Sequence, residues 1–509
     1  MEQTVSCTSS TPRTMALAGS VASVLLVAVV ASVPGSPFTP ILPRGAGPFG
    51  PFRWIAVGVG LDRLSPSALA GVGLATMALA AGAFLLVLRE AWRGTIGVRT
   101  LLWLAVAYQL GLLLVPLLFS RDVYSYAAYG RIAGVHHANP YVLAPAAFPN
   151  DAFTPFVGPK WVGTPAVYGP LFTLLSSGLV RVVAGVAATI LVFRALAIAA
   201  TLVSLSLIAW LVRRAQPARA AFAVAAFGLN PVVLFQSSGS GHNDLLVALA
   251  VVGALALVWA RRELLATASL SLGALVKVTA GVPLLLLIVA ATARAEPGRR
   301  LRALASHLGL SLAIALVFAA PFLNASDPTL GMSELARHEG WLAPSRFFRR
   351  LLDALSGDTL GIAARVLFAA MLVASIAAIA VWLARRGAAR GPAAWGGAWA
   401  WGLLLLMLLG PVLLPWYAVW SLPLVWLLPR VPRASLIGTG VALTLSGWTA
   451  EPSRFTRAYD LNVLFGHYVL TPIVILLLAW TGWDLWRRLR EGRPLEDDQA
   501  RVPAQAGQG

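Results

Sequence analysis

An aspartate that directly follows an apolar block, among tyrosines, can take a proton at a membrane surface. The stretch Ser120-Arg121-Asp122-Val123-Tyr124-Ser125-Tyr126 supplies one. As a general base, the Asp122 carboxylate could deprotonate a hydroxyl arriving from water or from lipid. Paired with Arg121 or Arg131, the same group would be no more than a helix-end charge. A second polar group, Gly241-His242-Asn243-Asp244, opens the apolar stretch 243–260. Asn243 or Asp244 would suffice as a helix cap. His, Asn and Asp in succession exceed what a cap requires, and the Ser/Gly run before them lets a ligand approach the backbone closely. Lys277 stands alone in the apolar run 273–287. An ammonium there is costly unless it snorkels to the interface, and the natural partner of an unpaired cation near the outer leaflet is a phosphate.

A further set falls late in the chain: Arg337, His338, Arg346, Trp416, Tyr417, Arg454, Arg457 and His467. Trp and Tyr suit an interfacial belt, whereas arginines on the face where positive charge is normally sparse suit a phosphate or sugar surface. A plain solvated loop is the alternative reading of these arginines. His136 and His137 are adjacent, a spacing that rarely aims both rings at one ion, and the chain has no HExxH or Cys/His pattern. No metal and no cofactor are expected. The Gly-rich phosphate loop, the dinucleotide GxGxxG and the GxSxG elbow are also missing, which argues against a nucleotide as direct donor.

The elements that must position these groups are membrane helices. The 509 residues are 58% hydrophobic and 12% charged, with mean hydropathy +0.78. A soluble domain carries roughly a quarter charged residues. Leu, Ala and Val instead gather in blocks of about 20 residues, the length that crosses a bilayer as helix, rather than the alternating segments of about ten that build a barrel. Apolar blocks fall near 15–34, 67–88, 100–119, 189–212, 219–236, 243–260, 264–277, 278–294, 302–322, 361–384, 394–412, 415–428, 434–448 and 467–486. This predicts an all-α polytopic membrane protein of about 14 spans, with both termini in the cytoplasm. Stretches 264–294 and 394–428 are each ambiguous between two short tilted helices and one span plus a re-entrant segment. The first block reads as a retained anchor rather than a signal peptide, because its apolar run is long.

Residues 1–490 then form a single membrane domain with outer loops at about 120–188, 323–361 and 451–466, and 491–509 form a disordered cytoplasmic tail. The apolar stretch 170–185, which holds Arg181, is expected to lie along the outer surface or to dip in and return. The net charge of +19 is concentrated in arginine clusters between spans, such as Arg213/Arg214/Arg219 and Arg430/Arg433. That distribution fits the positive-inside rule and anionic membrane lipids rather than nucleic acid. Cys7 is the only cysteine, so no disulfide forms within the chain.

The segments SRDVYSYAAYGRIAGVHHANPY from Ser120, YGPLF from Tyr168, LNPVVLFQSSGSGHNDLL from Leu229, GALVKVTAGVPL from Gly273, LLPWYAVWSLPL from Leu413 and GHYVLTPI from Gly466 occur in one order. Together they resemble the polyprenol-phosphate-mannose-dependent α-1,6-mannosyltransferases of actinobacteria, multi-span glycosyltransferases of the GT-C fold. The resemblance runs from about residue 100 to 486. It implies an enzyme of the plasma membrane with an extracytoplasmic site, a polyprenyl-phosphate-mannose donor and a lipid-anchored mannan or glycolipid acceptor. Asp122 occupies the position of the family's catalytic aspartate, acting in a single inverting displacement. Lys277 and one of Arg121, Arg337, Arg346 or Arg454 would then meet the leaving phosphate. His242, Asn243 and Asp244 would hold sugar hydroxyls or orient the phosphate, with Tyr126, Trp416, Tyr417 and His467 among the binding residues. Two other readings compete. One is a transporter or flippase of a lipid-linked sugar, which would spread charges at midplane depth over matching halves. The other is a related transferase using a different polyprenyl-phosphate sugar.

Overall fold

The computed structural model describes residues 11–43, 50–324, 327, 329–332, 334, 338–340, 342–357, 360–448 and 456–497. Within these the regular structure is helical, with no strand. Proline is used where a helix loses nothing by it, at the first turn of helices beginning at Pro66, Pro170, Pro344 and Pro392. The main helices are α1 (Thr11–Ala31), α2 (Pro66–Trp92), α3 (Val98–Gly111), α4 (Asp122–Gly134), α5 (Pro170–Val182), α6 (Val186–Ala215), α7 (Ala220–Gly228), α8 (Asp244–Trp259), α9 (Glu263–Val276) and α10 (Gly281–Arg294). They continue as α11 (Arg300–Ala319), α12 (Pro344–Ser356), α13 (Gly361–Trp382), α14 (Pro392–Leu409), α15 (Arg430–Ser446), α16 (Thr456–Phe465) and α17 (Thr471–Glu491).

Eight described helical stretches are long and apolar enough to cross a membrane, and shorter apolar helices such as Asp244–Trp259 and Glu263–Val276 accompany them. The protein is an all-α polytopic membrane protein. Its helices differ in what they face. The crossing stretch Pro297–Phe322 is only 6% buried and turns Leu308, Leu312, Leu316 and Val317 outward, whereas Pro392–Leu409 is 89% buried. In water the first surface would aggregate; against lipid tails it is the expected exterior. Trp395, Trp399 and Trp401 of α14 fill the interior.

Four places differ from, or resolve, the hydropathy reading. Block 415–428 is no α-helical span but two buried 3-10 turns, Pro415–Trp420 and Leu422–Leu427. Pro423, in the interior of the block, lacks the N–H that a continuous α-helix would need there. Stretch 264–294 is two helices broken at Lys277, which is extended (φ −155°, ψ 130°). Helix α5, the stretch expected to lie along the surface or to dip in and return, packs closely on α4: an added Cβ on Gly130 would lie 2.7 Å from Ser176, and one on Gly134 would lie 2.8 Å from Ser177. These small residues let α4 and α5 touch backbone to backbone. The tail also begins ordered. Leu495 is fully buried with its carbonyl accepting from Trp401 Nε1, and Glu496 pairs with Arg390 at 2.7 Å, so residues 492–497 fold back on the bundle. The remainder of the expected tail lies outside the described residues.

Candidate active site

The polar groups converge because the backbone turns where few residues can turn. After α3 the chain reaches Phe119 at φ +52°, and the Ser120 hydroxyl accepts the Asp122 N–H at 3.1 Å, so Asp122 opens α4. Gly241, at φ +71°, makes the facing turn. A Cβ there would be both strained and 2.7 Å from Val123 Cγ1, so glycine alone allows His242 to lie against α4. Asp122 Oδ2 is then 3.5 Å from His242 Nδ1, and the His242 ring stacks on Trp416 with centroids 3.8 Å apart.

Asp244, at the start of α8, is fully buried. Its Oδ1 accepts from Lys277 Nζ at 2.8 Å and from Trp420 Nε1 at 2.7 Å, while Oδ2 has no hydrogen-bond partner among the described residues. The break between α9 and α10 places Lys277 here, with its ammonium over the Tyr417 ring (4.7 Å) and the Trp420 ring (5.5 Å). Lys277 is therefore not the unpaired cation the sequence implied. Gly169 docks the YGPLF segment against this break: its N–H reaches Val276 O at 3.1 Å, and a Cβ would sit 2.1 Å from Leu275 O.

Above these groups opens a cavity of about 340 Å³. Its walls carry the carboxylates of Asp122 and Glu339, the cations Lys160, Lys277 and Arg346, and the rings of Trp161, Tyr168, Trp416 and Tyr417. Glu339 is engaged by Arg349 at 2.6 Å. The Asp122 side chain is 24% accessible, enough to meet a ligand. Burial is the main influence on it and raises its pKa to about 6, against the pull of Lys277 and the Ser120 hydrogen bond. Burial, and then the Lys277 charge, hold His242 well below its ordinary value and keep it neutral. A carboxylate with a raised pKa, facing a cavity with cations across it, can accept a proton while an anion forms nearby.

The sequence-derived residues divide. Asp122, Lys277, Arg346, Trp416 and Tyr417 line the cavity. His242, Asn243, Asp244 and Tyr126 are buried beneath it, with the Tyr126 hydroxyl 3.4 Å from both His242 Nδ1 and Asn243 Oδ1. Arg121 turns away and donates to the Ile41 carbonyl. His467 sits beside Phe347, with ring centroids 5.3 Å apart, and does not line the cavity. Arg337 and Arg454 lie outside the described residues. His136 belongs to a separate cluster with Asp151 and Arg131. Lys160, Trp161, Tyr168, Glu339 and Trp420 were not picked out from sequence. One signal existed: the chain has two lysines, and both line this cavity.

Residues 15–294 match the family described as "Alpha-(1->6)-mannopyranosyltransferase, N-terminal domain". The chain is 29% identical over 400 residues to alpha-(1->6)-mannopyranosyltransferase A of Mycobacterium tuberculosis, covering 75% of this chain and 74% of that protein. It is also 29% identical over 444 residues to a probable alpha-(1->6)-mannopyranosyltransferase of Mycolicibacterium smegmatis, covering 77% and 76% respectively. No solved structure matches.

Proposed function

Because the chain belongs to the alpha-(1->6)-mannopyranosyltransferase family, we propose that it moves mannose from a polyprenyl-phosphate-mannose donor to the 6-hydroxyl of a mannan or glycolipid acceptor, on the extracytoplasmic face of the plasma membrane. The observation that carries this reading is the placement of Asp122 at a cavity that also holds Lys160, Lys277 and Arg346. Asp122 takes the proton of the acceptor hydroxyl as its oxygen attacks the mannosyl anomeric carbon. The bond from that carbon to the phosphate oxygen breaks with inversion, so a β-linked donor gives an α-linked product. Charge grows on the departing lipid phosphate, and the three cations on the cavity wall would meet it. Lys277 keeps its orientation through Asp244, and His242 supports Trp416 and Asp122 from below. The rings of Trp161 and Trp416 on the cavity wall offer faces against which a sugar packs. A lipid-phosphate donor needs no nucleotide, and the guanidinium and ammonium groups supply the countercharge that a metal would otherwise bring.

The test uses the full chain purified in detergent with a short α-1,6-mannoside as acceptor. Polyprenyl-phosphate-mannose, polyprenyl-phosphate-arabinose, polyprenyl-phosphate-glucose and a nucleotide-activated mannose are compared as donors. The expected product is an acceptor longer by one α-1,6-mannose, formed from the first donor alone. Turnover of only a non-mannosyl lipid, or of the nucleotide sugar, overturns the donor assignment. Movement of the lipid-linked sugar across proteoliposomes without transfer would favour a transporter.

A further inference from the structure

Asp122 and His242 belong to two segments that are tied together along their length. The Leu118 N–H donates to Gly239 O at 3.3 Å, and the Ser240 hydroxyl donates to Leu118 O at 2.7 Å. Buried Arg194 donates to Val115 O at 2.9 Å and so holds the stretch that leads to Asp122. On the other side the His242 N–H donates to Ser237 O at 3.0 Å, and Gly241 lies against Val123. Trp416 then fixes the His242 ring from its face, with the two planes 18° apart. His242 is fully buried and does not line the cavity, so it stands behind Asp122 rather than in reach of a sugar.

The contacts of the ring decide where its proton sits. An ionised carboxylate only accepts, so the approach of Asp122 Oδ2 to His242 Nδ1 at 3.5 Å requires a hydrogen on Nδ1. Tyr126 makes the same demand. Its hydroxyl accepts the Asn243 N–H at 3.5 Å and gives its single proton to Asn243 Oδ1 at 3.4 Å, so toward Nδ1 at 3.4 Å it too can only accept. The opposite tautomer would turn a lone pair on both oxygens. It would also bury an N–H at Nε2, which has no hydrogen-bond partner among the described residues. At 3.5 Å the Asp122 contact is longer than a settled hydrogen bond. Such contacts at catalytic groups often tighten only once substrate is bound.

We infer that neutral His242 is the positioning residue of Asp122: its Nδ1–H donates to Oδ2, favours the carboxylate form, and leaves Oδ1 to take the proton of the acceptor hydroxyl. One proton moves, from that hydroxyl to Asp122, and His242 keeps its own. The inference rests on Asp122 being the base proposed above. Other groups act on the same carboxylate. Lys277, Ser120 and Tyr168 favour its charged form and Asp244 opposes it, while Tyr126, Tyr129 and Tyr417 lie within reach of its charge. Lys160, Glu339 and Arg346 stand on the cavity wall. All of these are the same in wild type and in variants of His242, so a changed pH profile reports the His242 contact.

The test measures kcat and KM for mannosyl transfer against pH in the full chain, at equal folded fraction by thermal unfolding. His242→Phe keeps a ring on Trp416 and removes the N–H. Its kcat/KM limb is expected about one unit above the wild-type midpoint, because a hydrogen bond to the charged form is lost, with KM little changed. His242→Asn offers an N–H at the δ position, where Nδ1 is, and is expected to bring the limb back toward wild type. His242→Gln offers one only at the ε position and is expected to stay with the Phe variant. The inference is overturned if His242→Phe keeps the wild-type limb, or if the Asn and Gln variants behave alike. A loss confined to KM also overturns it and returns His242 to holding a sugar. Full activity in Asp122→Asn would remove the base itself, and the inference with it. Near-silence there beside an unshifted limb in His242→Phe would remove the inference alone.

Discussion

Two aspartate–histidine pairs occur among the described residues, and they are built in opposite ways. Asp151 is held by His136 at 2.7 Å, by Arg131 at 2.8 Å and by the Phe153 N–H at 2.9 Å. Burial pushes its pKa up, but these donors outweigh burial and leave it below the ordinary carboxylate value. His136 is further fixed by stacking on Phe148, with centroids 4.3 Å apart. Asp122 has its histidine only at 3.5 Å and a pKa raised to about 6. The first pair spends its charge on holding a loop. The second keeps its charge available, at the wall of a cavity, to a proton that must come from elsewhere. Residue type does not separate them; the completeness of the partners does.

Disturbing each set of partners should therefore have different consequences. The largest effect is expected from Lys277→Met, which strands Asp244 as a buried charge and should cost about 3–5 kcal/mol of stability. Lys277→Met/Asp244→Asn should recover most of that stability in denaturation, yet remain defective in transfer. Asp122→Asn keeps shape, so it should unfold no sooner than wild type while losing roughly a hundredfold or more in transfer rate. Asp151→Asn should show the converse. It leaves Arg131 short of its partner and should cost about 1–3 kcal/mol, with little change in turnover per folded molecule. An Asp151 variant with normal stability and lost turnover would break the contrast.

The smallest effects lie in the pH dependence of stability, and their signs differ. Asp122 has a folded pKa above its ordinary value of 3.8, so protonating it favours the fold. Its contribution should rise as pH falls through about 6 toward 4, and Asp122→Asn should lack that rise. Asp151 has a lowered folded pKa, so its contribution is present above the ordinary carboxylate value and fades as pH drops below it. Unfolding midpoints of wild type and both variants across this range separate the two.

Much of the site was legible because membrane helices make polar residues conspicuous. Asp122, the His242–Asp244 run and Lys277 interrupt apolar sequence, and each interruption proved to be part of one constellation. Pairing was harder to read than position. Nothing in spacing says that Lys277 meets Asp244, since their contact depends on how α8, α9 and the broken Lys277 backbone pack. Lys160 and Trp161 lie in a loop without periodicity, and contacts such as Gly169 against Leu275 set how that loop folds over the cavity. Hydropathy left 415–428 open between a short helix and a re-entrant segment, because it scores apolar side chains and does not register the N–H that Pro423 lacks. The buried turns formed there bring Trp416, Tyr417 and Trp420 to the site.

The central claim is that Asp122 is an accessible base with a raised pKa. The most direct test is kcat/KM for mannosyl transfer as a function of pH, which reports the ionisation of the free enzyme. The account predicts a rising limb with its midpoint at about 6, falling about tenfold per unit below it, and absent from the residual activity of Asp122→Asn. A flat profile through this range, or a limb that persists unchanged in Asp122→Asn, would contradict it.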